Sequence, residues 1–204
     1  MEEPQTHTHF PAKFCHLSKD DCPALAGVGA RSKRLVGIKN INVYSLGFYI
    51  DEQAAKKVLG PKFKGRTVES LSKDQQLCSE VIQAHSVPKT VRIVITSRMV
   101  NGDRFSSGVE ESMTPVLKQL GDESSLHDFK QLFSGADFHQ GLELSFSSTP
   151  EGALSTRIGD KEVGAVKSPA FTSAFFTMYL GDNPVSQDGK KSITEGLAQV
   201  LADE

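Results

Sequence analysis

The chain has 204 residues, a formal net charge of -2, and 38% apolar and 24% charged residues. This is the composition of an ordinary globular protein that can build a sizeable core. The near-neutral charge gives no electrostatic basis for binding nucleic acid, and no apolar run approaches the roughly 20 residues of a membrane-spanning helix. We therefore expect one domain over residues 10–204, preceded by a flexible lead-in over residues 1–9.

The N-terminus, M-E-E-P-Q-T-H-T-H-F, is acidic and lacks a hydrophobic centre. It predicts neither a secretory signal nor a transit peptide, so the chain as written is expected in the cytoplasm, or in the plastid stroma if a transit peptide was trimmed. Cys15, Cys22 and Cys78 lack metal-type spacing, and free thiols in a reducing compartment are the expectation. No metal is predicted. No cofactor is predicted either, because Gly27 and Gly29 lack the third glycine of a dinucleotide fingerprint.

The longest β-rich segment reads R-S-K-R-L-V-G-I-K-N-I-N-V-Y-S-L-G-F-Y-I, and its residues 35–50 are expected to be the central strand. Counting by twos from Tyr44 places apolar residues on both faces, so both sides of this strand should be covered. Arg31 and Tyr44 are separated by an odd number of positions and would point to opposite faces of one regular strand. If they act together, a bulge or tight turn must lie at Gly37 or in residues 32–34.

The other elements follow from periodicity and turn signals. The sequence predicts an edge strand at 10–18, a glycine-spaced turn at 25–29, helices at 52–59, 67–71, 73–85, 104–119, 126–133, 169–180 and 193–201, a strand at 91–99, and an antiparallel meander of strands at 142–146, 154–158 and 162–166. This order predicts an α+β fold, with a mostly antiparallel sheet and helices packed on one face.

The pair Arg31 and Tyr44 suggests a site for one anionic or phenolic head group. An arginine is a rigid, two-pronged cation that suits a planar carboxylate, and a tyrosine hydroxyl beside an apolar cavity can donate to the same oxygen. The alternative, which spacing alone favours, leaves Arg31 as a solvated charge and Tyr44 as a core aromatic whose hydroxyl finds an ordinary partner.

Several segments resemble the plant chalcone isomerase family. They read G-A-R, then G-I-K-N-I-N-V-Y-S-L-G-F-Y-I-D, K-T-V-R-I-V-I, and S-A-F-F-T-M-Y-L-G followed by P-V-S. The likeness extends from about residue 10 to the C-terminus and implies an open-faced β-sandwich of the chalcone-isomerase type. This family contains isomerases that close a chalcone to a flavanone, non-catalytic fatty-acid-binding proteins, and isomerase-like proteins that assist flavonoid synthesis.

Within this resemblance, Arg31 and Tyr44 point to the fatty-acid binders. Arg31 lies where the isomerases carry a catalytic arginine, which the fatty-acid binders keep. Tyr44 lies where the isomerases usually carry a threonine that orders a water molecule. A tyrosine there, paired with the arginine, is what the fatty-acid binders use to hold a carboxylate.

The remaining aligned positions argue against catalysis. The catalytic tyrosine, lysine and asparagine of the isomerases fall on Phe105, Thr96 and Ser112, and only Thr172 matches a further isomerase hydroxyl. Ring closure of a chalcone needs donors aimed at the developing enolate, and loss of one such donor typically costs about a hundredfold or more in rate. The aligned residues therefore predict weak catalysis or none.

An acyl chain needs only an apolar slot with a polar clamp at one end. Side chains that could line such a slot are Phe105, Met113, Leu117, Phe171, Phe175, Phe176 and Met178. The main prediction is a monomer that binds a fatty acid without catalysis, with Arg31, Tyr44, Thr96, Phe105, Ser112, Met113, Thr172 and Phe176 at the ligand. The first alternative is a weak or ancestral-like chalcone-flavanone isomerase, with Arg31 and Thr172 as catalytic residues of an intramolecular oxa-Michael addition. The second is a non-catalytic, regulatory member of the family, and a flavonoid-like small molecule is the alternative ligand.

Overall fold

The computed structural model describes residues 1–16, 22–34 and 40–202. Its strands are β1 (Ala24–Arg34), β2 (Asn40–Ile50), β3 (Lys89–Ile95), β4 (Glu143–Ser148), β5 (Leu154–Ile158) and β6 (Lys161–Val166). Its helices are α1 (Glu52–Phe63), α2 (Val68–Leu71), α3 (Gln75–Gln83), α4 (Gly102–Leu120), α5 (Ser125–Gln131), α6 (Pro169–Leu180) and α7 (Gln187–Leu201). None of the helices in these ranges is long and apolar enough to cross a membrane.

The six strands form one antiparallel sheet in which neighbours in space are neighbours in the chain. The predicted α+β class with an antiparallel sheet is confirmed, as is the meander of β4, β5 and β6. Helix α6 begins as predicted at Pro169, with the Ser168 hydroxyl accepting from the backbone amide of Phe171. Helix α1 continues past the predicted stop at Gly60 because Phe63, in its last turn, is buried in the core.

The predicted central strand over residues 35–50 is wrong in its extent. Its described part belongs to β2, which pairs with β1 as an antiparallel hairpin, and residues 35–39, including Gly37, lie outside the described ranges. Alternation with a period of two reads the same for one long strand and for two antiparallel strands, so the pattern could not separate them. In the hairpin, Arg31 lies directly opposite Tyr44, which brings both residues to one place.

The predicted turn at residues 25–29 is also wrong, because these residues belong to β1. The glycines there serve close packing of α7 on the strand. A Cβ atom at Gly27 would lie 2.5 Å from the backbone nitrogen of Ile193, and one at Gly196 would lie 1.8 Å from the carbonyl oxygen of Ala26. Only glycine allows the helix to lie this near to the strand.

The outer face of the sheet is covered by the N-terminal segment. The hydroxyl groups of Thr6 and Thr8 lie 2.6 and 3.0 Å from the Ser45 hydroxyl, so residues 1–9, expected as a flexible lead-in, make defined contacts. The Phe14 ring packs on Tyr49, with the ring centres 5.4 Å apart. Both faces of β2 are therefore covered, as the two-sided apolar pattern predicted.

Two local expectations for this segment are wrong. Cys15 and Cys22 form a disulfide rather than two free thiols, whereas Cys78 is free and buried in the core. The predicted edge strand at 10–18 is replaced by an isolated bridge between Lys13 and Ala24, with residues 17 and 18 outside the described ranges. Pairing of cysteines depends on how the segment folds back, which spacing alone does not determine.

Candidate functional site

A cavity of about 390 Å³ lies between the β1–β2 hairpin and the first half of α4. This volume falls within the range of about 300–1,000 Å³ that is typical of small-molecule sites. Its apolar walls are formed by Ile41, Val43, Met99, Val100 and Phe105. The cavity also contacts Arg31 and Tyr44, the two residues that the sequence singled out.

An irregularity in the hairpin shapes this wall. Arg31 pairs with Tyr44 and Ser32 pairs with Asn42, so Val43 is an extra residue on β2. Such a bulge re-aims a side chain, and Val43 and Tyr44 both line the cavity although they are adjacent in the sequence. The irregularity borders the polar run 32–34, one of the two places predicted for it.

The Arg31 guanidinium is half-buried at the cavity wall and holds only loose protein contacts. Its Nη2 atom lies 3.4 Å from the carbonyl oxygen of Gly108 and 3.4 Å from the hydroxyl of Ser112. Among the described residues no carboxylate forms an ion pair with it. Burial works against the charge, but the nearby groups of Tyr44, Tyr179 and Glu111 outweigh it and raise the pKa of Arg31 above its ordinary value. The group is therefore a permanent cation that can accept an anionic partner.

The hydroxyl groups of Tyr44 and Tyr179 are buried beside this cation. Within the described part of the chain, neither hydroxyl makes a hydrogen bond of good geometry, although Tyr44 lies close enough to Arg31 and to Tyr179 for a weak one. Tyr179 lies near enough to Tyr44 and Arg31 to interact electrostatically with both, and burial raises its pKa well above the ordinary value. Tyr179 thus keeps its proton and can donate it. An unpaired buried hydroxyl costs about 1–3 kcal/mol, so two of them next to an arginine indicate a site for an anion.

The sequence reasoning missed Tyr179. It lies on α6, which is apolar on nearly all sides and gives no periodicity that would mark one face. One signal was available: the chain contains only three tyrosines, and one of them follows the F-F-T-M run of the quoted late-helix motif.

Two further residues that the sequence proposed for the ligand, Phe105 and Ser112, lie near Tyr44 and Arg31. The Phe105 ring lies 6.1 Å from the Tyr44 ring, measured between centres, and also packs on Phe133 at 5.4 Å. It presents no hydrogen-bond donor to the cavity. The Ser112 hydroxyl donates to the Gly108 carbonyl at 2.9 Å and sits under the guanidinium of Arg31.

The structure does not bring the other predicted residues to the cavity. The Thr96 hydroxyl donates to the backbone carbonyl of Asn42 at 2.9 Å and lies with Thr6 and Thr8 on the outer face, because neighbouring residues of a strand alternate between faces. Thr172 is fully buried, and its hydroxyl donates to a backbone carbonyl in the turn between β4 and β5 at 2.8 Å.

The proposed slot residues on the helices, other than Phe105, are core residues. Met113 and Phe176 are 0% exposed, and they pack in the main hydrophobic cluster rather than along the cavity. The same holds for Leu117, Phe171, Phe175 and Met178. Apolar helical periodicity marks burial and does not distinguish a cavity wall from a filled core.

Removal of the Tyr44 or the Tyr179 hydroxyl should weaken anion binding without lowering the stability of the ligand-free protein. Tyr44→Phe and Tyr179→Phe delete a buried hydroxyl that makes at best a weak hydrogen bond within the protein, so the free energy of unfolding of the ligand-free protein should be unchanged within about 0.5 kcal/mol or higher. Binding of an anion at Arg31 should weaken by about 1.5–3 kcal/mol in each variant, because the lost hydrogen bond is one to a charged group. Urea unfolding and ligand titration measure the two effects. A loss of stability in the ligand-free variants would show that the hydroxyls have structural partners.

An antiparallel sheet and helices that enclose an apolar cavity, with a cation and phenolic donors beside it, define a small-molecule-binding fold. A protein-family model described as chalcone-flavanone isomerase matches residues 6–200, so the chain belongs to this family. The mixed fold also matches the crystal structure of an Arabidopsis thaliana fatty-acid binding protein (AtFAP1), with a TM-score of 0.87, 26% sequence identity and 98% of both chains covered.

Curated relatives fall on both sides of the functional division in this family. One is fatty-acid-binding protein 2 of Arabidopsis thaliana, 29% identical over 98% of this chain. The chain spans about half, 51%, of the length of that relative. Another is a chalcone-flavanone isomerase of Oryza sativa, 25% identical over 87% of this chain and 80% of its own length.

Proposed function

We propose that this protein binds a fatty acid, with the carboxylate held by Arg31, Tyr44 and Tyr179 and the acyl chain in the apolar cavity. The observation that carries the proposal is the half-buried Arg31 guanidinium at the cavity, without a carboxylate partner among the described residues, next to two buried tyrosine hydroxyls that make no well-formed hydrogen bond there. The fatty-acid-binding relatives in Arabidopsis thaliana support the same ligand class. One chain supplies the whole clamp, so the proposal takes the monomer to be sufficient.

The chemistry of this clamp favours a carboxylate over a neutral head group. A guanidinium offers parallel N–H donors to the two oxygens of a carboxylate, and the phenolic hydroxyls add donors from a second direction. Hydrogen bonds to a charged group contribute about 1.5–3 kcal/mol, roughly twice the value for neutral pairs. The apolar walls add binding free energy in proportion to the buried length of the chain.

Titration of the protein with laurate and with its methyl ester tests this proposal. The acid should bind with one molecule per chain, and the ester should bind at least about tenfold more weakly, because it lacks the charge that pairs with Arg31. Calorimetry or displacement of a fluorescent probe measures both ligands. Equal affinities for acid and ester would contradict the clamp, and absence of binding to either would contradict fatty-acid binding itself.

Chalcone isomerase activity is the second candidate, favoured by the family and by the isomerase relative from rice. The geometry around Arg31 argues against it. Phe105 lies beside Tyr44 without a donor, and Thr96 and Thr172 point away from the cavity. Of the two groups that the resemblance assigns to catalysis, Arg31 and Thr172, only Arg31 lines the cavity, so we propose a non-catalytic role.

Incubation with a 2′-hydroxychalcone should give cyclisation near the spontaneous rate. Loss of a single oxyanion-type donor lowers rates by about a hundred- to a thousandfold, and this cavity lacks more than one. Absorbance and chiral chromatography of the flavanone measure rate and stereochemistry, with an authentic isomerase as positive control. Stereoselective product at an enzyme-like rate would establish the enzyme instead, and any weaker activity should disappear in Arg31→Ala.

A further inference from the structure

The cavity is closed on the side of Tyr44 that faces the sheet interior. Beyond Tyr44, the inward residues of β2 are Leu46, Phe48 and Ile50, and each is at most 1% exposed. They pack against α6; the rings of Phe48 and Phe176, for example, lie 6.0 Å apart at an edge-to-face angle. No cavity wall is formed by these residues, so an acyl chain cannot extend from the clamp in this direction without displacing the core.

The cavity is open in the opposite direction. From Tyr44 its wall follows β2 back to Ile41, a distance of about 10 Å at roughly 3.3 Å per residue. At that end the Met99 side chain, which also lines the cavity, is 51% exposed. Lys33 and Glu111 flank the opening, with a loose ion pair of 3.5 Å and side chains that are 55% and 74% exposed.

We infer that the fatty acid binds with its carboxylate inward at Arg31 and with its far end directed out past Met99. This inference rests on the proposed function and adds the direction of the ligand. The clamp lies at the closed end, the apolar residues Val43, Val100 and Phe105 follow it, and Met99 marks the exit.

The direction of binding specifies the ligand class. The wall from Tyr44 to Ile41 is only about 10 Å long, which is shorter than an extended stearate, so a chain of that length must leave the cavity at its far end. The protein should therefore accept long-chain acids without a length limit, and it should tolerate bulky or polar groups at the far end of the chain. Groups near the carboxylate should be excluded.

Spin-labelled stearates test the direction. Stearate labelled at carbon 16 should bind with an affinity close to that of stearate, and ascorbate should reduce its bound nitroxide nearly as fast as in solution. Stearate labelled at carbon 5 should bind weakly, or its nitroxide should be reduced about three- to tenfold more slowly, because ligand sites bury about 70–90% of the surface inside them. The inference is overturned if the label at carbon 16 is protected from ascorbate, or if this ligand does not bind although stearate does. Laurate binding that depends on Arg31 would still support the proposed function in that case.

A pair of variants gives an independent readout. Met99→Ser should weaken stearate binding about three- to fivefold through loss of apolar contact at the exit, and it should weaken octanoate binding less than about twofold, because the shorter chain only just reaches the exit. Leu120→Ser is the matched control, since Leu120 is also 51% exposed but lies at the far end of α4, about 13 Å from Glu111 along the helix axis.

Equal losses for both acids in Met99→Ser, or no loss for stearate, would overturn the inference. If neither laurate nor stearate binds to the parent protein, the proposed function fails as well.

Discussion

Replacement of Arg31 by alanine is expected to weaken laurate binding by roughly ten- to a hundredfold, because a charge-assisted hydrogen bond contributes about 1.5–3 kcal/mol and each 1.4 kcal/mol is tenfold. The variant should fold normally. The two contacts of Arg31 with Gly108 and Ser112 are long, and the Ser112 hydroxyl keeps its own bond to the Gly108 carbonyl when the arginine is removed. Calorimetric titration of parent and variant measures the loss.

Arg104→Ala is the matched control for Arg31→Ala. Arg104 lines the same cavity, but its side chain is exposed at the rim and donates to the Met99 carbonyl at 2.7 Å. Exposed charges contribute little, about 0–1 kcal/mol, so laurate affinity should change less than about fivefold. Similar losses in the two variants would mean that Arg31 acts through the general positive potential of the cavity and not through direct contact with the carboxylate.

Lys89→Met should change the pH dependence of stability strongly between pH 7 and pH 10.5. Lys89 is 0% exposed, its Nζ donates to the Ala84 carbonyl at 2.8 Å, and burial lowers its pKa from 10.5 to about 7. A lowered pKa in the folded state means that the unfolded chain binds the proton more tightly between pH 7 and 10.5. The free energy of unfolding of the parent should therefore rise by about 3–5 kcal/mol over this range.

The Lys89→Met variant lacks this contribution and keeps the other titrating groups. The difference in free energy of unfolding between the variant and the parent should favour the variant most near pH 7, and it should shrink toward pH 10. Loss of the bond to the Ala84 carbonyl lowers its stability by a similar amount at every pH and does not alter this trend. His85, whose pKa is lowered by burial and by Lys89, titrates at more acidic pH. Urea unfolding at several pH values measures the difference, and parallel curves for the two proteins would contradict a buried, partly neutral lysine.

The sequence predicted best those elements whose ends are marked by turn residues or helix-capping residues. The meander of β4 to β6 is bounded by T-P-E-G and G-D-K turns, and α6 begins after Ser168, whose hydroxyl accepts from a backbone amide of the first turn. Helix α7 has the same kind of cap at Ser186, but its predicted start at residue 193 was wrong, because α7 begins at Gln187. The β1–β2 hairpin lacked such a mark. Its connection reads L-V-G-I-K, without the Asn-Gly or Asp-Gly pair that identifies tight hairpins, so the segment resembled one long strand.

Of the residues that the sequence proposed for the ligand, the structure brings half close together. Arg31, Tyr44, Phe105 and Ser112 are neighbours in space. The quoted motifs contain Arg31 and Tyr44, whereas Phe105 and Ser112 were reached only by alignment with the isomerases. Thr96 was misplaced because a shift of one residue along a strand moves a side chain to the other face. Tyr179 was missed because only tertiary packing brings α6 beside the hairpin, and no local pattern reports that contact.

The charge state of the bound ligand tests the central claim most directly. Laurate labelled with ¹³C at its carboxyl carbon can be titrated by NMR while bound to the parent protein and to Arg31→Ala. In the parent, the cation and the phenolic donors should hold the pKa of the bound carboxyl below that of the free acid. In Arg31→Ala the apolar cavity without its cation should raise this pKa above the free value. A carboxyl pKa that is equal in the two proteins, or raised in the parent, would contradict a carboxylate clamp at Arg31.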